Sequence, residues 1–466
     1  MNAKGKAELA ERKELIGKEK KAFKDAVKKK TRRILVLGII LVLGTLLFLK
    51  YFNFFGSNIN SLLGIFRVGA VIPTLQLLLP LGISFYTLQA IAYLTDIYRG
   101  KVEADRNPCK FLLFMSFFPQ IVQGPIARHK QLAAQLYEGH GFDYRRVTFG
   151  LQLILWGFFK KLVIADRLAA PVAEIFANYT RYHGLMVFLG AAFYGLQVYT
   201  DFSGGMDIAR GVAQIFGIGL EENFTQPYFA SSIEDFWRRW HITLGSFMRG
   251  YIFYPLSLSK AFANLSRKSR KLLGSFIGKR LPSFLAMFIV YILVGFWHGA
   301  EWQFIAYGLY NGIFIMAGIL LGGVYDKCRS KLGIGANTFT WRAFQIFRTF
   351  VLVSFGRFFS RAASFEIAMG MFKQTFVKIQ DLSFLTDGSL LQIGLSNAEW
   401  FLLLFAILLL FFVDHTHEKG IKIRESIARQ GLIFRWAIYI GIIVAILIFG
   451  VYGPGYSAAS FIYEQF

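Results

Sequence analysis

Charge is scarce in this chain. Asp, Glu, Lys and Arg make up 17% of its 466 residues, against about a quarter in soluble globular proteins. Acid is scarcer still: 28 Asp and Glu stand against 52 Lys and Arg, a net charge of +24. Cysteine is nearly absent. Cys109 and Cys328 are the two, without CxxC or metal-ligand spacing, which excludes a disulfide framework and a cysteine-based zinc site. Several enzyme signatures are missing as well. There is no Walker loop, no GxSxG elbow and no HExxH helix, so a covalent serine mechanism has no support. No clear internal repeat occurs, which counts against an inverted-repeat transporter. The positive charge comes with no nucleic-acid-binding module, so no nucleic-acid partner is expected.

What fills the chain instead is apolar. Hydrophobic residues are 55% and aromatics 17% of the sequence, and the mean hydropathy is +0.46. Continuous apolar runs of about 17–25 residues recur, the length that crosses a hydrocarbon core as helix. Continuity rather than alternation excludes a β-barrel. The expectation is an all-α, polytopic membrane protein with spans near 34–50, 71–97, 110–127, 147–166, 184–200, 283–298, 301–323, 343–358, 398–413 and 432–452. Short re-entrant or interfacial helices are expected within 205–256, for about ten to twelve passes in all.

The charge is unevenly placed. Residues 1–33 hold 13 Lys/Arg against 5 Asp/Glu, and residues 260–280 hold seven Lys/Arg and no acid. The positive-inside rule puts both on the cytoplasmic face, where basic segments also attract anionic lipid. The charged stretch at 1–33 is too long for a signal peptide, and no small-residue cleavage site follows the apolar run. It reads as a polar helix leading into the first span, a cytoplasmic arm ahead of one transmembrane domain over 34–466.

The chemistry is expected in the middle third. His298 lies in Gly295-Phe296-Trp297-His298-Gly299-Ala300, inside Leu281–Gly323, an almost unbroken apolar stretch. An ionisable group at membrane depth is costly to bury and by default functional. Asp235-Phe236-Trp237-Arg238-Arg239-Trp240-His241 pairs two arginine forks, suited to phosphate or carboxylate, with tryptophans three apart on one helix face. It is open to two readings: an interfacial helix with snorkelling arginines, or a docking surface for a phosphate-bearing cytosolic donor. Asp201, Ser203 and Asp207, in Thr200–Gly211, set carboxylates among small residues. They either orient a catalytic group or form structural ion pairs. Prolines, glycines and amides in Pro80–Gln89 and Phe117–Ile126 either kink helices or line a tunnel. Asp414-His415-Thr416-His417 reads as an interface loop rather than a metal site.

At these residues the chain resembles the membrane-bound O-acyltransferase (MBOAT) family, in the bacterial branch of alginate O-acetyltransferase subunits and D-alanyl-lipoteichoic acid transfer proteins. Gly82–Gln89, Phe117–Ile126, Asp201–Gly211, Asn223–Leu256 and Gly295–Ala300 match in order, and Ser460–Phe466 looks like the family ending. The resemblance implies a helical fold around a central tunnel. It makes His298 the hallmark catalytic histidine and His241 the second one. It implies Asp201, Ser203, Asp207, Asp235, Trp237, Arg238, Arg239 and Trp297 as donor- or substrate-binding residues. Two departures stand out: a charged arm where family members begin with extra hydrophobic helices, and Arg249-Gly250-Tyr251 where the family often has Arg-Asp-Tyr.

The activity so implied is acyl transfer, acetyl first. The donor is a cytosolic acyl-CoA or acyl-carrier-protein thioester, with no bound cofactor or metal. The acceptor is a hydroxyl on a cell-wall or exopolysaccharide substrate, reached with a separate extracytoplasmic SGNH-type partner. Membrane lipid surrounds the protein, in a bacterial plasma membrane. D-alanyl transfer from a carrier protein to teichoic acid is the alternative within the family, and a proton-coupled transporter is the alternative of another class.

Overall fold

The computed structural model describes residues 17–67 and 69–453; the terminal segment Ser460–Phe466 lies outside them. The described chain is helical, with one isolated antiparallel bridge between Phe224 and Trp240. Two compact units separate by their packing: residues up to Phe142 together with 216–221, and the remainder from Asp143 onward. Seven helices among the described residues are long and apolar enough to cross a membrane.

In the first unit, α1 (Gly17–Leu46) passes through a π turn at Leu47–Tyr51 into α2 (Phe52–Ile65). The basic residues of 17–33 are thus part of the first long helix. The span expected at 71–97 is only half helical, because α3 begins at Ile83 and ends at Tyr98. Pro73 and Pro80 cannot donate to a helix ladder, and the stretch 69–80 forms no helix. Asn53 and Asn60 on α2 satisfy its backbone. Asn60 accepts from the amides of Val71 and Ile72 and donates to the Ile72 carbonyl, while Asn53 exchanges bonds with both groups of Leu75. These bonds pair backbone groups of Val71, Ile72 and Leu75 that a helix would otherwise satisfy. The span expected at 110–127 is also broken. Asn107 caps α4 (Pro108–Met115), and Pro119 lacks the N–H that would bond the Met115 carbonyl in a continued helix. The four-residue α5 (Phe118–Ile121) and α6 (His129–Tyr137) follow.

The second unit holds the core. α7 (Tyr144–Phe158) runs through a π turn at Phe159–Ala165 into α8 (Asp166–Ala177), and packs antiparallel to α9 (Leu185–Ile215), which is buried along most of its length. Glycines decide that crossing. A Cβ on Gly157 would stand 2.6 Å from the Gly204 carbonyl oxygen, and one on Gly150 would stand 2.7 Å from that of Gly211. The two pairs are seven residues apart on each helix, the repeat that keeps one face in contact. Gly157→Val should therefore force the helices apart and cost about 1–3 kcal/mol, read as a lower melting temperature in detergent; an unchanged melting curve would refute the close crossing.

Short elements follow, as expected for 205–256: α10 (Ile233–Arg239), α11 (Ile242–Phe247), a π turn at Met248–Phe253 and α12 (Tyr254–Ser257). α13 (Lys260–His298) turns sharply at Gly274, with φ of 73°. There Ser269 Oγ donates to the Gly278 carbonyl at 2.8 Å, a contact nine residues apart that no straight helix allows. α14 (Trp302–Lys331) returns along α13, and α15 (Phe339–Arg361), α16 (Phe365–Phe376), α17 (Asn397–Glu418), α18 (Ile423–Ala428) and α19 (Leu432–Phe449) complete the unit. α15 matches the span expected at 343–358 in place but carries Arg342, Arg348, Arg357 and Arg361. With the two broken segments of the first unit, it accounts for seven long apolar helices where about ten to twelve passes were expected.

Candidate active site

His298 is the last residue of α13 and is 8% exposed. Its ring meets Tyr307 edge to face, centroids 5.6 Å apart at 84°. Glycine again brings the partners together: a Cβ on Gly308 would lie 2.1 Å from the Tyr291 carbonyl oxygen, so α13 and α14 touch backbone to backbone beside Tyr307. The Tyr307 hydroxyl accepts from Arg357 Nη1 at 3.2 Å. Arg357 is itself buried, with its guanidinium 4.6 Å from the Trp240 ring centroid, a cation–π arrangement strengthened by desolvation. Trp237 completes this wall. Its indole donates to Asn311 Oδ1 at 3.1 Å, and Asn311 donates to the Tyr307 carbonyl at 2.8 Å.

His241 comes to the same region by a different route. Two extended stretches pair, Thr225 N donating to Arg239 O and Ile242 N to Asn223 O, both at 3.0 Å. This pairing holds His241 in the left-handed region at φ 46°, a conformation uncommon outside glycine and retained where surroundings enforce it. The ring is 1% exposed, against Phe202 at 4.8 Å. Asn223 Oδ1 accepts from Thr243 N and Oγ1, so it is the amide oxygen, and His241 Nδ1 donates to it at 3.3 Å. Burial first, and then the field of His298, hold the His241 imidazole well below its usual pKa. It is neutral at pH 7, with Nε2 as the basic nitrogen.

A second cluster surrounds the π turn after α7. Lys160 and Lys161 are both buried. Lys160 Nζ bonds Ser203 Oγ at 2.9 Å and Asp207 at 2.8 Å; Lys161 Nζ bonds Asp201 at 2.6 Å and Asp166 at 2.8 Å. Asp207 also faces Arg210 at 3.5 Å. Lys160, Ser203, Asp207 and Arg210 line a polar cavity of about 530 Å³ that is closed elsewhere by Asn223, Asp414, His417 and Arg424. Asn223, which holds His241, is therefore also part of this cavity's wall.

The sequence profile of the MBOAT, membrane-bound O-acyltransferase family matches residues 103–356. The chain is 32% identical to the probable alginate O-acetylase AlgI of Pseudomonas aeruginosa, over 84% of this chain and 70% of that protein. It is 36% identical to the peptidoglycan O-acetyltransferase of Helicobacter pylori over 60% of this chain and 54% of the relative. It is 29% identical to the teichoic acid D-alanyltransferase of Streptococcus thermophilus over 60% of this chain and 68% of the relative. The chain belongs to the membrane-bound O-acyltransferase family. It spans between about half and seven-tenths of the length of these relatives.

Within this MBOAT chain the residues singled out from sequence fall into three places. His298, His241, Trp237 and the buried Trp297 belong to the histidine region. Ser203 and Asp207 line the polar cavity, and Asp201 is turned to Lys161. Asp235, Arg238 and Arg239 lie outside the cavity in ion pairs. Arg239 bonds Asp235 at 3.1 Å and Glu418 at 2.7 Å, Glu418 also bonds Arg342, and the exposed Arg238 pairs with Glu234. Trp237 and Trp240 do not share a helix face, since α10 ends at Arg239. Trp240 turns inward to stack on Phe236 at 5.3 Å. Asp414, His415 and His417 are not a loop but the last turns of α17, where Asp414 accepts from the Tyr199 hydroxyl at 2.8 Å.

Several residues of the site were not singled out from sequence: Tyr307, Arg357, Asn311 and the lysine pair. A signal was present for the charged ones. Lys160-Lys161 follows an apolar run and Arg357 interrupts another, and charges at membrane depth carry the same default reading as His298.

Proposed function

We propose that this chain moves an acyl group, acetyl first, from a cytosolic thioester to a hydroxyl acceptor, with His298 as general base. The observation that carries the reading is the buried His298 imidazole packed on a tyrosine whose hydroxyl is held by a buried arginine. A hydroxyl attacks a thioester poorly until a base removes its proton. An imidazole in its neutral form can take that proton. The carbonyl oxygen gains negative charge as the C–O bond forms, then the C–S bond breaks and the thiolate leaves. The Tyr307 hydroxyl accepts from Arg357, so its own proton is free to be offered to that oxyanion. His241, held neutral by burial, is the second histidine of the region.

The polar cavity is the site we assign to the polar part of the donor. The stretch after α17 that lines it, residues 420–425, carries Lys422 and Arg424 against Glu425. By the positive-inside rule that end is cytoplasmic, the compartment of a soluble thioester. The same rule places the basic arm at 1–33 in the cytoplasm. Two acetyl-transferring relatives support acetyl; the D-alanyltransferase relative supports the alternative of a carrier-bound aminoacyl donor. Transfer onward to a cell-wall or exopolysaccharide hydroxyl is proposed to use an extracytoplasmic SGNH-type partner.

The test is a donor comparison in proteoliposomes, with labelled acetyl-CoA in one set and a D-alanyl-charged carrier protein in the other. Acetyl turnover from acetyl-CoA alone is the expected result. Turnover from the carrier alone would move the chain to the D-alanyl group. Solute flux with no turnover of either would replace the enzyme reading with the transporter one.

A further inference from the structure

A long apolar trough runs beside the polar cavity, on the face made by α7, α17 and α19. It encloses about 850 Å³. Its α19 wall is the stripe Phe434, Ile438, Ile442, Ala445 and Phe449, one residue per helical turn. From Phe434 to Phe449 the stripe is about 22 Å long at 1.5 Å per residue. That exceeds the ~15 Å of hydrocarbon in one leaflet, so a full acyl chain fits along it.

The trough ends at a second cavity of about 530 Å³, with Gln152 and Tyr439 shared between the two. Gln152 Nε2 donates to the Tyr439 hydroxyl at 3.2 Å. Three arginines line this second cavity: Arg145, Arg429 and Arg435. Its one carboxylate, Glu425, is turned to Lys422 at 3.4 Å. Arg435 Nε and Gln152 Oε1 are buried with no hydrogen-bond partner, an arrangement that costs free energy until a ligand or water completes it. α7 and α19 both begin at this end, next to Asp143 and Gly431, which places the arginines where helix starts meet the membrane surface.

Each half of the feature needs the other. A soluble anion would satisfy the arginines and leave the trough empty. A neutral lipid would fill the trough and leave the cations unanswered. We infer that the trough and the arginine cavity together bind one anionic phospholipid, with its phosphate among Arg145, Arg429 and Arg435 and an acyl chain along the α19 stripe. Arginine forks match phosphate oxygens in pairs, and the basic surroundings favour an anionic headgroup. The inference rests on binding geometry alone and stands apart from the acyl-transfer reading.

The test uses the full chain purified in neutral detergent and doped with either phosphatidylglycerol or phosphatidylcholine, with retained lipid counted by native mass spectrometry. The wild type should keep phosphatidylglycerol in preference to phosphatidylcholine. R429Q/R435Q should lose phosphatidylglycerol retention by about tenfold or more, the effect of removing two charges from a lipid phosphate, with its melting temperature in plain detergent unchanged. Ile442→Trp, which fills the trough and keeps every charge, should lose retention as well. Equal retention of the two lipids, retention unaltered by either variant, or displacement of the lipid by millimolar inorganic phosphate alone would overturn the site. So would a dimer, stable after lipid is stripped, that covers the trough.

Discussion

His298→Ala is expected to lower acyl transfer by about 10²–10⁴-fold, the contribution of a positioned general base, while the helical fold persists. The residue ends α13 rather than sitting within it, so no helix hydrogen bond depends on the ring. The alanine variant does leave a small void against Tyr307, and some loss of stability will accompany it. His298→Gln separates the two effects. Glutamine keeps a polar side chain of similar reach but has no titratable nitrogen. It should melt close to the wild type and transfer as poorly as alanine. A glutamine variant that turns over at the wild-type rate would show that the ring positions the wall and does not take the proton. If the Tyr307 hydroxyl serves the oxyanion as proposed, Tyr307→Phe should reduce turnover without altering the response to a stronger nucleophile.

The histidines were legible in the sequence for different reasons. His298 stands out by contrast, as a single imidazole in a run that otherwise obeys the composition of a membrane helix. His241 does not stand out at all; it lies in a stretch crowded with charge, and only the ordered family segments single it out. Its burial and left-handed backbone come from the pairing of Asn223–Thr225 with Arg239–Ile242, a contact across intervening residues that local pattern does not carry. Asp235, Arg238 and Arg239 show the converse. Their composition suits an anion, yet Glu234 and Glu418 already occupy them; Glu418 lies 179 residues from Arg239, beyond any periodicity argument. Three of the expected spans are not among the seven long apolar helices of the described residues, for local reasons. Hydropathy registers that 71–82 and 110–127 are apolar, but not that prolines prevent one continuous helix and that asparagines elsewhere satisfy the freed backbone.

The lysine pair carries the second large effect. Lys161 sits on the π turn between α7 and α8, and its ammonium lies between Asp201 and Asp166, with side chains 4%, 1% and 11% exposed. Removing one member of such a buried set strands the others in a low-dielectric wall, at a cost of about 3–5 kcal/mol. Lys161→Met should therefore unfold at a markedly lower temperature in detergent, or fail to accumulate in the membrane. Adding Asp201→Asn removes the most deeply buried of the stranded charges and should restore much of the loss; Asp166, more exposed, keeps access to water. The paired variant also decides what Asp201 is for. If its carboxylate only balances Lys161, the restored protein will transfer acyl groups at a rate near that of the wild type. If Asp201 touches the donor, stability will return and turnover will not, with KM for the thioester raised. A Lys161→Met protein as stable as the wild type would instead mean that the two carboxylates are neutral in the folded state, because a protonated pair needs no cation between them.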